Sequence, residues 1–202
     1  MHDRLFAASQ AHRLDDPTRL LWLPPGEVLG ALAWYAGDMV ADVGVGTGYF
    51  SLPLAEAVGP LGRIYALDAQ NRMLVLLQKK LDRLLESDIE LVHAEAEATH
   101  LPSATCDLVF LANVWHEFAD RKAVLRESKR ILNYLGRIAI LDWRPDVEPE
   151  YGQPLEHRLN SSIADAELRI AGFKKVSYEN IGKYSWLVQA VAGEDACNGL
   201  PQ

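Results

Sequence analysis

From Met39 onward, short apolar runs alternate with segments whose apolar residues recur every three or four positions. Strands alternating with amphipathic helices write that pattern into a chain. Met39–Val43 reads as a first strand, entered through Gly37-Asp38. Phe50, Leu54, Ala57 and Val58 repeat at helical spacing, and Pro53 is tolerated because it falls in the first turn. Gly59-Pro60-Leu61-Gly62 ends that helix, and Arg63–Leu67 forms a second strand closing at Asp68. Met73, Leu77, Leu81, Leu84 and Leu85 mark the next helix, followed by a third strand at Ile89–His93. Leu108–Ala112 is an unbroken apolar run, as expected of a central strand covered on both faces. Asp120 is placed to cap a helix that turns Val124, Leu125, Ser128, Ile131 and Leu132 inward and leaves through Gly136. Arg137–Leu141 is the fifth strand, closing at Asp142-Trp143.

The rhythm then changes. Residues 144–160 are rich in proline and acids and read as an insertion loop. Ser162 is the expected cap of a helix ending at Gly172, with Phe173 folding back over it. Lys174–Glu179 and Tyr184–Val191 flank a turn and read as an antiparallel hairpin. The expected layout is one α/β domain over residues 1–192, with residues 1–30 as a cover and residues 193–202 as a frayed tail.

Composition narrows the function classes. The 202 residues are 49% hydrophobic and 24% charged, enough for a real core and too apolar for general disorder. Twenty basic and 28 acidic residues give a formal charge of −8, which disfavours a broad nucleic-acid surface. Cys106 and Cys197 match neither a metal motif nor a disulfide framework, so a reducing, cytoplasmic setting is expected. No apolar stretch approaches the roughly 20 residues of a membrane span, and nothing in the pattern sets the oligomeric state.

The candidate chemistry starts at Asp42-Val43-Gly44-Val45-Gly46-Thr47-Gly48, between the first strand and its helix. Glycines there permit a tight turn and close approach of a ligand, and the helix start is expected to offer free N–H donors. Asp68 ends the next strand, placed to accept hydrogen bonds from a ribose diol, its partner being ligand rather than core. The dinucleotide fingerprint would need a glycine where Tyr49 stands, and the Gly-Lys-Ser/Thr of a phosphate-gripping loop is absent. Asp42 beside the loop repels a diphosphate and suits a cationic ligand.

These residues resemble the first motif of the class I S-adenosylmethionine-dependent methyltransferases. Leu61-Gly62-Arg63-Ile64-Tyr65-Ala66-Leu67-Asp68 is similar to the family's second strand and ribose-binding acid. Ala94-Glu95-Ala96-Glu97 followed by Leu101-Pro102 resembles the segment near the adenine, Cys106-Asp107-Leu108-Val109-Phe110 the start of strand four, and Leu135-Gly136-Arg137 the turn before strand five. The resemblance, strongest to the small-molecule, quinone-methyltransferase-like branch, implies a Rossmann-like three-layer sandwich. Its seven-stranded, mostly parallel sheet would carry an antiparallel last strand. It further implies S-adenosylmethionine as cofactor. Gly44, Gly46 and Gly48 would lie under its methionine part and ribose, Asp42 near the amino-acid end, and Asp68 at the ribose hydroxyls. Ala69, Glu95 and Ala96 would sit around the adenine, and Asn113 near the sulfonium. Glu95 stands where the family usually has aspartate.

Methyl transfer needs in-line alignment above all, and a base only where the acceptor arrives protonated. His116, in Asn113-Val114-Trp115-His116-Glu117 after the fourth strand, is the candidate catalytic base; the position also suits a histidine that merely packs or hydrogen-bonds in the loop. Tyr49, Trp115 and Trp143 could line an acceptor pocket or simply fill core, and Trp22 and Tyr35 could belong to a closing cover or anchor the N-terminal segment. Asp142 alone is an acid suitably placed for a metal, so metal dependence is disfavoured. The basic run Arg121, Lys122, Arg126, Lys129 and Arg130 reads as a solvated helix face rather than a nucleic-acid contact. The expected activity is methyl transfer to a small-molecule acceptor. The alternatives are a nicotinamide-dependent oxidoreductase and a non-catalytic nucleotide-binding module.

Overall fold

The computed structural model describes residues 6–84 and 88–193. The N-terminal segment holds a 3-10 turn at Ala8–Asp15 and helices α1 (Arg19–Trp22) and α2 (Pro25–Ala31). Then come β1 (Met39–Val43), α3 (Ser51–Val58), β2 (Arg63–Asp68), α4 (Asn71–Leu84), β3 (Ile89–His93) and β4 (Cys106–Ala112). α5 (Arg121–Ile131), β5 (Leu132–Trp143), α6 (Ser161–Ile170), β6 (Lys174–Ile181) and β7 (Ser185–Val191) complete the order. The tail expected over 193–202 lies, beyond Gly193, outside the described residues.

The seven strands form one sheet in the order β3-β2-β1-β4-β5-β7-β6. β7 pairs antiparallel with both β5 and β6, and the remaining pairs are parallel. Apolar side chains alternate between two cores. One face of β1, β4 and β5 packs Val43, Val109, Leu111, Ile138 and Ile140 against Val124, Leu125, Ala164 and Leu168 of α5 and α6. The other packs Val40, Leu108, Phe110, Ala139 and Leu141 against Val28, Leu54, Leu77 and Leu81 of α2, α3 and α4. Burial on both faces is why β4 reads as a continuous apolar run.

Parallel pairing places the ends of β1, β2, β4 and β5 side by side. Val43 stands opposite Leu67 and Leu111, and Ala112 opposite Leu141. The loops that leave these strands therefore meet at one edge, where α/β sheets bind ligands.

Two local expectations change. β5 begins at Leu132 directly after α5, and Gly136 lies inside the strand instead of ending an exit turn. A Cβ at Gly136 would lie 2.8 Å from the Leu132 side chain and 3.1 Å from the Asn133 nitrogen, so the glycine serves close packing beside the register shift between Cys106 and Leu108. The cap of α6 is Asn160, whose side chain accepts from the Ser162 N–H at 2.9 Å, not Ser162 itself. The expected cap of α5 is in place, with Asp120 accepting from the Ala123 N–H at 2.9 Å. Asp120→Ala should cost about 1 kcal/mol, read as a lower urea midpoint with unchanged slope.

Candidate active site

The glycine loop is folded back onto the end of β2. The N–H groups of Gly44 and Val45 donate to the Leu67 carbonyl at 2.8 and 2.9 Å, and the Gly46 N–H donates to Asp68 Oδ2 at 2.8 Å. Asp68 Oδ1 accepts from the Gln70 N–H at 2.8 Å. One expectation is corrected here: Asp68 is also held by protein donors, and the amides of residues 44–46, which precede the helix start, anchor the turn. Gly44, Gly46 and Gly48 have φ of +75°, +55° and +82°, where a side chain is strained. Space excludes one as well: a Cβ on Gly44 would lie 2.5 Å from Val114, and one on Gly48 2.4 Å from Leu77.

Asp42 lies at the end of β1, buried, with its carboxyl accepting the Ser51 hydroxyl at 2.5 Å. Burial pushes it up to about 6, against the Ser51 hydrogen bond and with help from the charge of Asp68. Asp68 is also raised, first by burial, with the Gln70 and Gly46 N–H groups opposing and Glu95 adding repulsion. Ala69 leaves β2 with its carbonyl 2.9 Å from His93 Nε2, a tie to β3 that no sequence pattern announced. Glu95 is exposed, in a one-residue bridge with Ala98, and Ala96 is half-buried at that turn.

The loop after β4 holds the unusual chemistry. Asn113 has φ of +57°, and its N–H donates to the Leu141 carbonyl at 2.7 Å. His116 is only 4% exposed and Asp142, at the end of β5, is fully buried. Asp142 Oδ2 accepts the His116 backbone N–H at 2.9 Å, and His116 Nδ1 lies 2.8 Å from Oδ1. Three buried polar atoms on this loop have no hydrogen-bond partner among the described residues: Asn113 Oδ1, Trp115 Nε1 and His116 Nε2. Buried polar groups are rarely left so, and functional sites are one setting in which they occur. The pairing of Asp142 with His116 has no local signature, because 26 positions separate the two residues.

Glu117 stands beside them. Its Oε1 is 3.8 Å from His116 Nε2, and its Oε2 accepts the Phe6 N–H at 3.3 Å. Burial pushes this carboxyl up to about 7; His116 and the Phe6 N–H oppose, and Asp142 and Asp68 add repulsion. Burial pulls the His116 imidazole down, but the charge and hydrogen bond of Asp142, with Glu117, outweigh it and leave the ring raised.

The N-terminal segment crosses this edge. Gln70 Nε2 donates to the Phe6 carbonyl at 2.9 Å, so Phe6 bridges the exits of β2 and β4. Asp15 Oδ1 accepts from the Thr47 hydroxyl at 2.6 Å and from Lys80 Nζ at 2.5 Å. The aromatic candidates are mostly committed to packing. The Tyr49 hydroxyl donates to the Leu23 carbonyl at 2.7 Å beneath Arg19, Trp115 is fully buried, and Trp143 packs on Trp22. Tyr35 lies at the opposite, amino edge, under Arg137. Arg121 pairs with Glu167, Arg130 with Glu127, and Lys129 donates to the Ala171 carbonyl, so much of the basic run is spent within the protein.

The donor set at this edge fits S-adenosylmethionine. Its acids and the unpartnered Asn113 oxygen suit a cationic sulfonium and ammonium, whereas a diphosphate would meet carboxylates and engaged amides. The raised acids have a measurable consequence. Their folded-state values exceed the ordinary carboxylate range, so protonation favours the fold. That stabilisation is complete below about pH 4, and is lost as pH rises through about 6 for Asp42 and about 7 for Glu117. The raised His116 acts in the same direction, losing its stabilisation as pH climbs above its ordinary value. Glu117→Gln should flatten the fall in ligand-free stability between pH 5 and 8 and stabilise the protein at pH 8 by on the order of 3 kcal/mol. Urea titrations at both pH values check it; an unchanged slope would contradict the charge frustration.

A family model described as a methyltransferase domain matches residues 41–140. A demethylmenaquinone methyltransferase of Lactobacillus johnsonii is 33% identical over 117 residues, 56% of this chain and 47% of that protein. One from Shouchella clausii is 30% identical over 155 residues, covering 77% of this chain and 63% of the relative. The chain thus spans from about half to under two thirds of the length of these curated relatives. A solved SAM-dependent methyltransferase from Aquifex aeolicus superposes with a TM-score of 0.88 at 32% identity, covering 93% of this chain and all of that one. No described helix is long and apolar enough to cross a membrane. With the glycine loop, the acid ending β2 and this match along its length, the chain belongs to the class I S-adenosylmethionine-dependent methyltransferases.

Proposed function

We propose that this chain transfers a methyl group to a ring carbon of a small quinol-type aromatic acceptor, with His116 as the base. The observation that carries the reading is His116 Nε2, buried, without a hydrogen-bond partner among the described residues, 3.8 Å from Glu117 Oε1 and beside the exit of β4. The names of the curated relatives support a quinone-class acceptor. S-adenosylmethionine, when bound, supplies a methyl carbon already activated by its sulfonium. Asp68, the glycine loop, Ala69, Asp42 and Asn113 would hold it, with Glu95 and Ala96 at the adenine edge.

His116 Nε2 takes the hydroxyl proton of the acceptor, and the electron pair left on oxygen enriches the ring carbon that receives the methyl. The ring C–H proton then returns to oxygen, so one proton remains on the imidazole and passes to solvent. Hydroxyl acids are the groups that need such a base near neutral pH. The buried, carboxylate-rich surroundings disfavour an anionic acceptor and suit an apolar aromatic one. The oxidoreductase alternative has little support, since the loop's engaged amides leave a diphosphate poorly served.

The direct test is incubation with S-adenosylmethionine and a short-chain demethylnaphthoquinol, followed by mass detection of one added methyl. His116→Ala should lower kcat by about 10²- to 10⁴-fold while leaving cofactor affinity near wild type. Turnover close to wild type would remove His116 from the reaction. Asp68→Ala should weaken S-adenosylmethionine roughly tenfold or more, and because Asp68 also holds Gly46, it should lower the melting temperature of the ligand-free protein. Calorimetric titration with S-adenosylmethionine and NAD checks the affinity; preference for NAD would overturn the reading.

A further inference from the structure

We propose that Asp142 is a positioning residue whose buried carboxylate fixes the tautomer and aim of His116, leaving Nε2 as the ring's proton acceptor. The inference rests on the reading that His116 takes the acceptor's proton, and it adds a second residue, on a different strand, to that chemistry.

The carboxylate holds the histidine at two points. Oδ2 accepts the His116 backbone N–H at 2.9 Å, and Oδ1 lies 2.8 Å from ring Nδ1, with Oδ2 at 3.0 Å from the same nitrogen. Oδ1 also accepts the Trp143 backbone N–H at 2.8 Å. Both oxygens are thus already acceptors, so the shared hydrogen belongs to Nδ1. A neutral imidazole protonated at Nδ1 carries its lone pair on Nε2. That nitrogen is the one without a hydrogen-bond partner among the described residues.

A purely structural pairing predicts a different arrangement. Burying a carboxylate and an imidazole together is costly unless their polar atoms are satisfied, and a packing histidine would find partners for both nitrogens. Here Nδ1 is held by both carboxylate oxygens, whereas Nε2 makes no hydrogen bond among the described residues and has Glu117 Oε1 3.8 Å away. The site of Asp142 is also tightly determined. Asp142 faces Trp186 across the β5–β7 ladder, and the Trp186 indole N–H donates to the Trp143 carbonyl at 2.9 Å and to the Leu159 carbonyl at 3.0 Å. The carboxylate therefore sits on a locked strand end, as a residue that orients another must.

The charged groups facing the ring come from each neighbouring element. Asp142 on β5 and Glu117 in the same loop favour the imidazolium, and Arg158 from the 144–160 loop opposes it. The Arg158 guanidinium is committed to four backbone carbonyls, of Gln153, Arg144, Val147 and Tyr151. When the acceptor's O–H proton moves to Nε2, the O–H bonding pair stays with the acceptor and the new positive charge is held against Asp142. The carbon–sulfur bonding pair leaves with sulfur as a neutral thioether, so atoms and charge balance.

The test combines a measurement on the wild-type protein with one variant. ¹⁵N-detected NMR of the imidazoles, with the His116 signals assigned by their loss in His116→Ala, should show Nδ1 protonated and Nε2 bare at high pH, and a titration above that of an ordinary histidine. Asp142→Asn should lower kcat by about a hundredfold or more, leave the dissociation constant of S-adenosylmethionine within about twofold, and move both the His116 titration and the acidic limb of kcat/KM to lower pH. A merely structural Asp142 would instead lower stability and cofactor affinity together without moving the pH profile. If Asp142→Asn does not fold, the wild-type spectra decide: an Nε2-protonated tautomer or an ordinary titration overturns the proposal. Wild-type spectra as expected, with no methylation of any quinol, would refute the acceptor assignment and leave the positioning role standing.

Discussion

One carboxylate organises the nucleotide end of this molecule. Asp68 accepts the N–H groups of Gly46 and Gln70, and the preceding Leu67 carbonyl takes those of Gly44 and Val45. The glycine loop is thereby drawn over β2. From this follow the positive φ values of its glycines and the close approach of Val114 and Leu77, which no side chain at Gly44 or Gly48 would permit. A loop whose amides are engaged in holding its own turn has fewer to offer a diphosphate, and the acids around it favour a cation.

That preference carries a cost in the ligand-free protein. Asp42, Asp68 and Glu117 are all raised by burial, with mutual repulsion adding to it. Such frustration is typical of functional edges, where the ligand relieves what the fold alone cannot. Fixing β1 and β2, which carry Asp42 and Asp68, is the work of the two cores, and Glu117 is carried by the turn that follows β4. The acids cannot move apart without shifting strands whose apolar side chains are almost wholly buried.

Contacts outside the sheet hold the N-terminal segment and the 144–160 loop. Phe6 spans from Gln70 to Glu117, Asp15 joins Thr47 and Lys80, and Arg158 gathers four carbonyls of the 144–160 loop beneath Trp143. Tyr49, Trp22 and Trp143 act in these contacts as anchors between segments. None leaves a sequence pattern: the partners of Phe6, Asp15 and Tyr49 lie tens of residues away, and the carbonyls that Arg158 gathers, 5 to 14 residues away, belong to an irregular loop.

What the amino-acid order determined by itself was everything with a short period or a local grammar. The alternation of apolar runs located the strands, the glycines between β1 and α3 located the tight turn, and Asp120 announced its own cap, because each of these is decided by residues a few positions apart. Gly136 misled because glycine ends helices and also permits close packing inside strands, and only the contact with Leu132 distinguishes the two. Tertiary structure alone decided what Asp68 holds, which nitrogen of His116 is bare, and that Asp142 meets His116. Those contacts exist because parallel pairing brings the ends of β2, β4 and β5 to one edge, a juxtaposition set by the sheet order rather than by distance along the chain.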